Sequence, residues 1–138
     1  NKHARKSDTQ IAGLLLDVIH TVGPIGENPE ALRSCYKRCL EVAKANGVRS
    51  IAFPSISTGV YGYPFENAAK VALDAVTAWI EDDDNGTKIS RVVFCVFSDS
   101  DYATYKRLIP EYIHGASKGV KYGDGLDNLE VRLLMMQY

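Results

Sequence analysis

The chain has 138 residues, of which 46% are hydrophobic and 24% are charged. This length and composition fit one globular domain that buries a core of its own, so residues 1–138 are expected to form a single domain. The formal net charge of -1 argues against binding of nucleic acid or membranes through charge alone. No apolar run is long enough to span a membrane and no signal peptide is visible, which favours an intracellular protein, cytoplasmic or nuclear.

The first part of the chain predicts an arm, a strand and a helix. Residues 1–10 are polar and basic and favour a loose arm or a first helical turn. Residues 14–22 are mostly apolar and predict a buried strand, which ends at Gly23 and Pro24. Asn28 followed by Pro29 is typical of a helix start, and Gly47 predicts the end of that helix near residue 46.

A strand, a glycine-rich loop and a helix follow. Ile51, Ala52 and Phe53 predict a covered strand, and the sequence SISTGVYGYP at residues 55–64 comes directly after it. Glycines let backbone amides turn toward a ligand, and a loop of such amides leading into a helix N-terminus favours anions. The residues alone leave a second interpretation open, in which the glycines serve only the turn. The loop is neither a Walker A motif nor a G-x-G-x-x-G motif.

The remaining chain continues the alternation of strands and helices. Residues 81–86 form an acidic loop, interpreted as a solvated turn rather than a calcium loop because the ligand spacing is wrong. Residues 89–97 predict a strand, and a helix begins near Asp101 and is broken or kinked by Pro110. A glycine-containing link leads to residues 129–138, which predict a strand or a short helix.

Strands that are apolar on both faces and alternate with helices predict an α/β fold with a mainly parallel sheet. Ligands of such folds lie beyond the carboxyl ends of the strands. This rule brings together the loops at residues 21–27, 55–63 and 97–101.

The residue types that hold metals or act as nucleophiles give little support to either role. Cys35, Cys39 and Cys95 are interpreted as packing residues, since no histidine lies near them in sequence. His20 is a candidate base or ligand, but no carboxylate is placed beside it, which favours a hydrogen-bonded structural role. No metal and no cofactor is therefore expected.

Three segments occur in an order that identifies a family. They are VIHTVGP at residues 18–24, IAFPSISTGVYGYP at 51–64 and VFCVF at 93–97. Together they resemble the macrodomain family, and within it the MacroD-type ADP-ribosyl hydrolases, over about residues 18–113. The resemblance implies a three-layer α/β/α sandwich with a mainly parallel, mixed sheet that binds ADP-ribose at the strand ends.

The resemblance also implies the binding residues. The loop at residues 57–62 would wrap the diphosphate through its amides, with Tyr61 against the distal ribose, and the turn after the strand at Phe97 would border the adenine. The implied ligand-binding residues are Ser57, Thr58, Gly59, Val60, Tyr61, Gly62, Phe97, Ser98 and Asp99. The implied partner is ADP-ribose or an ADP-ribosylated protein.

The chain departs from the family before residue 18. Family members carry there an adenine-binding aspartate, an asparagine, and a polyglycine loop followed by an aspartate used in hydrolysis. Residues 1–17 contain none of this, and neither Asn-Ala-Ala-Asn nor Gly-Gly-Gly occurs anywhere. The catalytic residues are therefore unknown, and residues 1–17 and 115–138 are atypical. Two interpretations stay open: a truncated, rearranged or engineered macrodomain, and a sequence that lacks a stretch between Ile11 and Leu16.

Three functions stay open on the sequence. The first is an ADP-ribose-binding module. The second is an enzyme that removes mono-ADP-ribose from acidic side chains or deacetylates O-acetyl-ADP-ribose, and the third is a scaffold that binds nothing.

Overall fold

The computed structural model describes residues 4–11, 14–113 and 130–136. The strands are β1 (Ala4–Ile11), β2 (Leu14–Ile19), β3 (Ser50–Phe53), β4 (Arg91–Val96) and β5 (Glu130–Met135). The helices are α1 (Pro29–Ala45), α2 (Phe65–Glu81), α3 (Asn85–Lys88) and α4 (Asp99–Tyr112).

Local sequence sets the starts of the helices. The Asn28 side chain accepts a hydrogen bond from the Ala31 N–H at 3.1 Å and Pro29 occupies the first turn, so α1 begins where its capping residues predict. In α4, Ser98 caps the first turn by accepting from the Asp101 N–H at 3.1 Å. Pro110 does not end α4, which continues to Tyr112. A proline this close to the helix end removes a single intrahelical hydrogen bond.

The strands form two separate sheets. The order β3-β4-β5 is parallel throughout, with Phe53 opposite Phe94 and Phe94 opposite Leu133. β1 and β2 form an antiparallel hairpin. The prediction of a loose or helical arm at residues 1–10 is wrong, because residues 4–10 belong to β1 and pair with β2, a partner that composition does not reveal. Of the two interpretations of the last segment, the strand is the correct one.

The helices form a layer against one face of the parallel sheet. α1 packs on α2, α2 packs on α4, and α4 packs on β5. In β4 every second residue, beginning at Val92, is buried under this layer, whereas the intervening residues are partly or fully exposed. The predicted α/β fold with a parallel sheet is confirmed. Within the described ranges no second helical layer covers the opposite face of the sheet.

Aromatic side chains in the core support the two ends of the glycine-rich loop. The Tyr36 ring of α1 lies 4.8 Å from the ring of Phe53, the last residue of β3. The Tyr105 ring of α4 lies 5.1 Å from Phe94 and 5.8 Å from Phe65, the first residue of α2. The residues that flank the loop, Phe53 and Phe65, therefore both belong to packed aromatic contacts in the core.

Candidate functional site

The loop between β3 and α2 is held in shape by its own hydrogen bonds. The Tyr63 N–H donates to the Ser57 carbonyl at 2.9 Å, and the Gly62 N–H donates to the Gly59 carbonyl at 3.0 Å. The Thr58 hydroxyl donates to the Ser55 carbonyl at 3.0 Å. Ser57 and Gly62 both have left-handed backbone conformations, with φ of 67° and 73°. Such turns fix the loop before any ligand arrives.

Three consecutive amides of this loop have no protein acceptor. Across the described ranges, the N–H groups of Gly59, Val60 and Tyr61 donate to no other group. All three residues are exposed, and Val60 is fully so. The loop leads into α2, whose N-terminus carries partial positive charge. Unpaired amides beside a helix N-terminus form a site suited to an anion such as a phosphate group.

Two hydroxyls beneath the loop also lack partners. Ser55 Oγ and Ser57 Oγ are buried and make no hydrogen bond within the part of the chain that the structure describes. A buried polar atom without a partner costs about 1–3 kcal/mol. Folded proteins concentrate such atoms at sites where a ligand or an ordered water completes the hydrogen bonding.

The segment after β2, residues 23–27, contacts this loop, as predicted from the topology. The Gly26 N–H donates to the Tyr61 carbonyl at 2.8 Å. The Asn67 amide on the first turn of α2 donates to a Glu27 carboxylate oxygen at 2.9 Å. Gly23 lies so close beneath the loop that a Cβ there would stand 2.2 Å from Ser57 Oγ. The three contacts fix the relative position of residues 23–27 and 55–63.

The second predicted loop leaves the same edge of the sheet. β3 and β4 are parallel neighbours, so the residues after Phe53 and after Val96 emerge side by side. The Phe97 side chain is 48% exposed there. Ser98 caps α4, and Asp99 is the exposed first residue of that helix.

Three buried phenols lie near the loop, and the pKa of each is raised above its ordinary value. Burial, followed by the negative charge of Glu27, raises the pKa of Tyr63. Burial is the main cause that raises the pKa of Tyr36 and of Tyr105. These phenols remain neutral, so their role is packing rather than proton transfer.

The cysteines lie in or beside the packed core, as their interpretation as packing residues predicts. Cys35 and Cys39 are buried, and the Cys35 thiol donates to the Val22 carbonyl at 3.2 Å. Burial raises the pKa of Cys39 and of Cys95, which keeps both protonated. No group of three potential metal ligands occurs within residues 4–11, 14–113 and 130–136. His20 is exposed at the end of β2.

Sequence reasoning missed two contributors to the site. The sequence marks Gly23 only as the end of a strand. The folded chain shows that a side chain at Gly23 would collide with the loop. Asn67 belongs to no motif, and its contact with Glu27 joins residues 40 positions apart.

Comparison with known proteins agrees with these features. Residues 12–72 match the model of the Macro domain family. The human protein named ADP-ribose glycohydrolase MACROD2 is 45% identical over 101 residues, which is 69% of this chain and 23% of that protein. The O-acetyl-ADP-ribose deacetylase of Klebsiella pneumoniae is 48% identical over 100 residues, covering 69% of this chain and 55% of that enzyme.

A solved structure shares the fold. The Trypanosoma brucei macrodomain, crystallised in complex with ADP-ribose, superposes with a TM-score of 0.64 and 42% identity over 67% of this chain and 39% of that chain. The matched part of the chain belongs to the macrodomain family. The chain spans about half the length of the Klebsiella enzyme and less of the other two proteins. Among the described residues no helix is both long and apolar enough to cross a membrane.

Proposed function

We propose that this chain binds ADP-ribose, free or attached to a protein, through the loop at residues 57–62. The observation that carries the proposal is the row of unpaired amides at Gly59, Val60 and Tyr61, which lies at the carboxyl edge of a parallel sheet. Amides suit the diphosphate because they supply donors without desolvating a charged side chain. The Trypanosoma brucei macrodomain in complex with ADP-ribose supports the same ligand.

The positions of the two loops predict which residues would contact the distal ribose and the adenine. Tyr61 is 41% exposed beside the amides, and its ring would lie against the distal ribose. Phe97 would border the adenine from the end of β4, with Ser98 and Asp99 at the next turn. An aromatic edge and a nearby helix start are suited to a planar base.

Hydrolysis is the second candidate function, favoured by the names of the human and Klebsiella relatives. The rim carboxylate Glu27 already accepts a hydrogen bond from Asn67. Asp99 lies in the first turn of α4, where it complements the helix dipole. The hydrolytic asparagine and aspartate that the family resemblance implies do not occur in residues 1–17. We therefore expect hydrolysis to be about 100-fold or more slower than in a relative of full length.

Calorimetric titration with ADP-ribose tests binding, and release of ADP-ribose from a glutamate-modified protein tests hydrolysis. Saturable binding without release supports the binding module. Release at the rate of the Klebsiella enzyme would favour the hydrolase. If the folded chain shows no heat of binding in the titration and releases no ADP-ribose, the remaining function is that of a scaffold that binds nothing.

A further inference from the structure

We propose that Asn46, the residue that caps the end of helix α1, is a site of spontaneous deamidation, whereas burial protects Asn85 from the same reaction. The chain contains two Asn-Gly pairs, Asn46-Gly47 and Asn85-Gly86. The structure places the two pairs in opposite environments. The proposal concerns chemical modification of the chain and does not depend on ADP-ribose binding.

Deamidation is an attack by the backbone on the preceding side chain. The backbone nitrogen that follows the asparagine loses its proton to hydroxide and bonds to the side-chain carbonyl carbon. The side-chain nitrogen takes a proton from water and leaves as ammonia. Water then opens the cyclic imide at one of its two carbonyls, which gives aspartate or isoaspartate. A following glycine favours the attack because it has no Cβ to block the approach and its backbone rotates freely.

Asn46 lies where this attack meets little resistance. Asn46 and Gly47 are both exposed, and a Cβ on Gly47 would meet nothing within 4 Å. The Asn46 side-chain amide donates to the Val42 carbonyl at 2.8 Å, and the Gly47 N–H donates to the Lys44 carbonyl at 3.2 Å. Both hydrogen bonds belong to the last turn of α1. This turn opens at low cost, because helix ends fray and water replaces the lost partners.

Asn85 meets the opposite conditions. The residue is 4% exposed, and Gly86 is buried beside it. The side-chain nitrogen donates to the Trp79 carbonyl at 2.7 Å, and the side-chain oxygen accepts from Lys44 Nζ at 2.7 Å. Both ends of the amide are therefore held, and ring closure at Asn85 requires a local opening of the structure around α3.

Deamidation of Asn46 would weaken the end of α1. An aspartate cannot donate the hydrogen bond to the Val42 carbonyl, and its negative charge lies at the helix end that carries partial negative charge. An isoaspartate also inserts its Cβ into the backbone of the link that leads to β3. The glycine-rich loop leaves the other end of β3, so the damage is expected in stability rather than at the candidate binding site.

The test follows both asparagines in the purified chain, kept folded in mildly alkaline buffer. Trypsin separates them, because cleavage after lysine and arginine places Asn46 in the peptide 45–49 and Asn85 in the peptide 71–88. Mass spectrometry then measures the conversion of each amide to an acid. We expect conversion at Asn46 to be roughly tenfold or more faster, because reaction at Asn85 waits for local opening. Equal conversion at the two positions, or faster conversion at Asn85, overturns the proposal.

The same chain in denaturant is the matched control. There the two Asn-Gly pairs should convert at similar rates, since unfolding removes the burial of Asn85. A difference that persists in denaturant contradicts the structural explanation. An Asn46 that stays intact in the folded chain while it converts in the unfolded chain contradicts the proposal as well.

A pair of variants tests the effect on α1. Asn46→Asp reproduces the charge of the product, and its melting temperature should fall by about 2–4 °C. Asn46→Gln keeps a side-chain amide without the added charge and should melt close to the unmodified chain. An Asn46→Asp chain that melts at the same temperature as Asn46→Gln contradicts the predicted weakening of the helix end.

Discussion

Gly23→Ala tests whether the segment after β2 sets the shape of the candidate binding loop. A Cβ at this position would stand 2.2 Å from Ser57 Oγ and 2.6 Å from Ile56 Cγ2. The atoms must move apart by roughly 1 Å to reach ordinary contact, and overpacking of this kind costs about 1–3 kcal/mol. We therefore expect the free energy of unfolding to fall by that amount and ADP-ribose binding to weaken, since the loop must shift.

A second substitution separates this contact from a general loss of stability. Ser57→Gly removes the nearer of the two clashing atoms and suits the φ of 67° at that residue. The double variant Gly23→Ala with Ser57→Gly should recover part of the lost stability, so the two changes should couple by about 0.5–3 kcal/mol. Gly59→Ala is the control for stability alone, because a Cβ there meets nothing within 4 Å.

Chemical denaturation with a double-mutant cycle measures both quantities. A Gly23→Ala protein as stable as the unmodified chain would refute the close approach of Gly23 to the loop. Additive effects of Gly23→Ala and Ser57→Gly would show that the cost arises elsewhere.

Three further variants address binding, packing and charge. Gly59→Val should abolish ADP-ribose binding in a titration while the melting temperature holds, because its side chain would point into the open space where the diphosphate is proposed to lie. Leu73→Ala, at a fully buried position, should lower the free energy of unfolding by about 2–5 kcal/mol, against about 1 kcal/mol or less for the half-exposed Leu134→Ala in denaturant titrations. The hydrogen bond from Lys70 is the largest cause that lowers the pKa of Glu66 below 4.5. The ionised Glu66 carboxylate therefore stabilises the fold above pH 4.5, and this stabilisation is lost as the pH falls through its lowered pKa. In Glu66→Gln the melting temperature should therefore fall less as the pH is lowered through this range. Thermal melts at several pH values measure the difference.

Elements with strong local signals were predictable from sequence. Asn28 and Pro29 mark the start of α1, which lies within a residue or two of its predicted bounds. The helix predicted after the glycine-rich loop is α2. The four-residue strand β3 was recognisable because an apolar run ends at the glycine-rich loop. Capping and periodicity act over a few residues, and a sequence displays them directly.

Features that depend on distant partners were not predictable. β1 is polar and basic and becomes a strand only through pairing with β2. The hydrogen bonds that hold the loop in place join Gly26 to Tyr61 and Glu27 to Asn67, and each spans more than 30 residues of sequence. The sequence indicated which loop would offer amides to an anion. It did not indicate which of these amides already donate hydrogen bonds to carbonyls within the loop. Thr58 and Gly62 donate within the loop, and this leaves the three central amides available.

The most direct test of the account is calorimetric titration of this chain with ADP-ribose and, in parallel, with AMP. The account predicts saturable binding of ADP-ribose, weaker binding of AMP, and only a modest loss of affinity with added salt, because backbone amides of Gly59, Val60 and Tyr61 hold the diphosphate. Equal affinity for AMP, or a steep loss of affinity with salt typical of lysine and arginine contacts to phosphate, would contradict it.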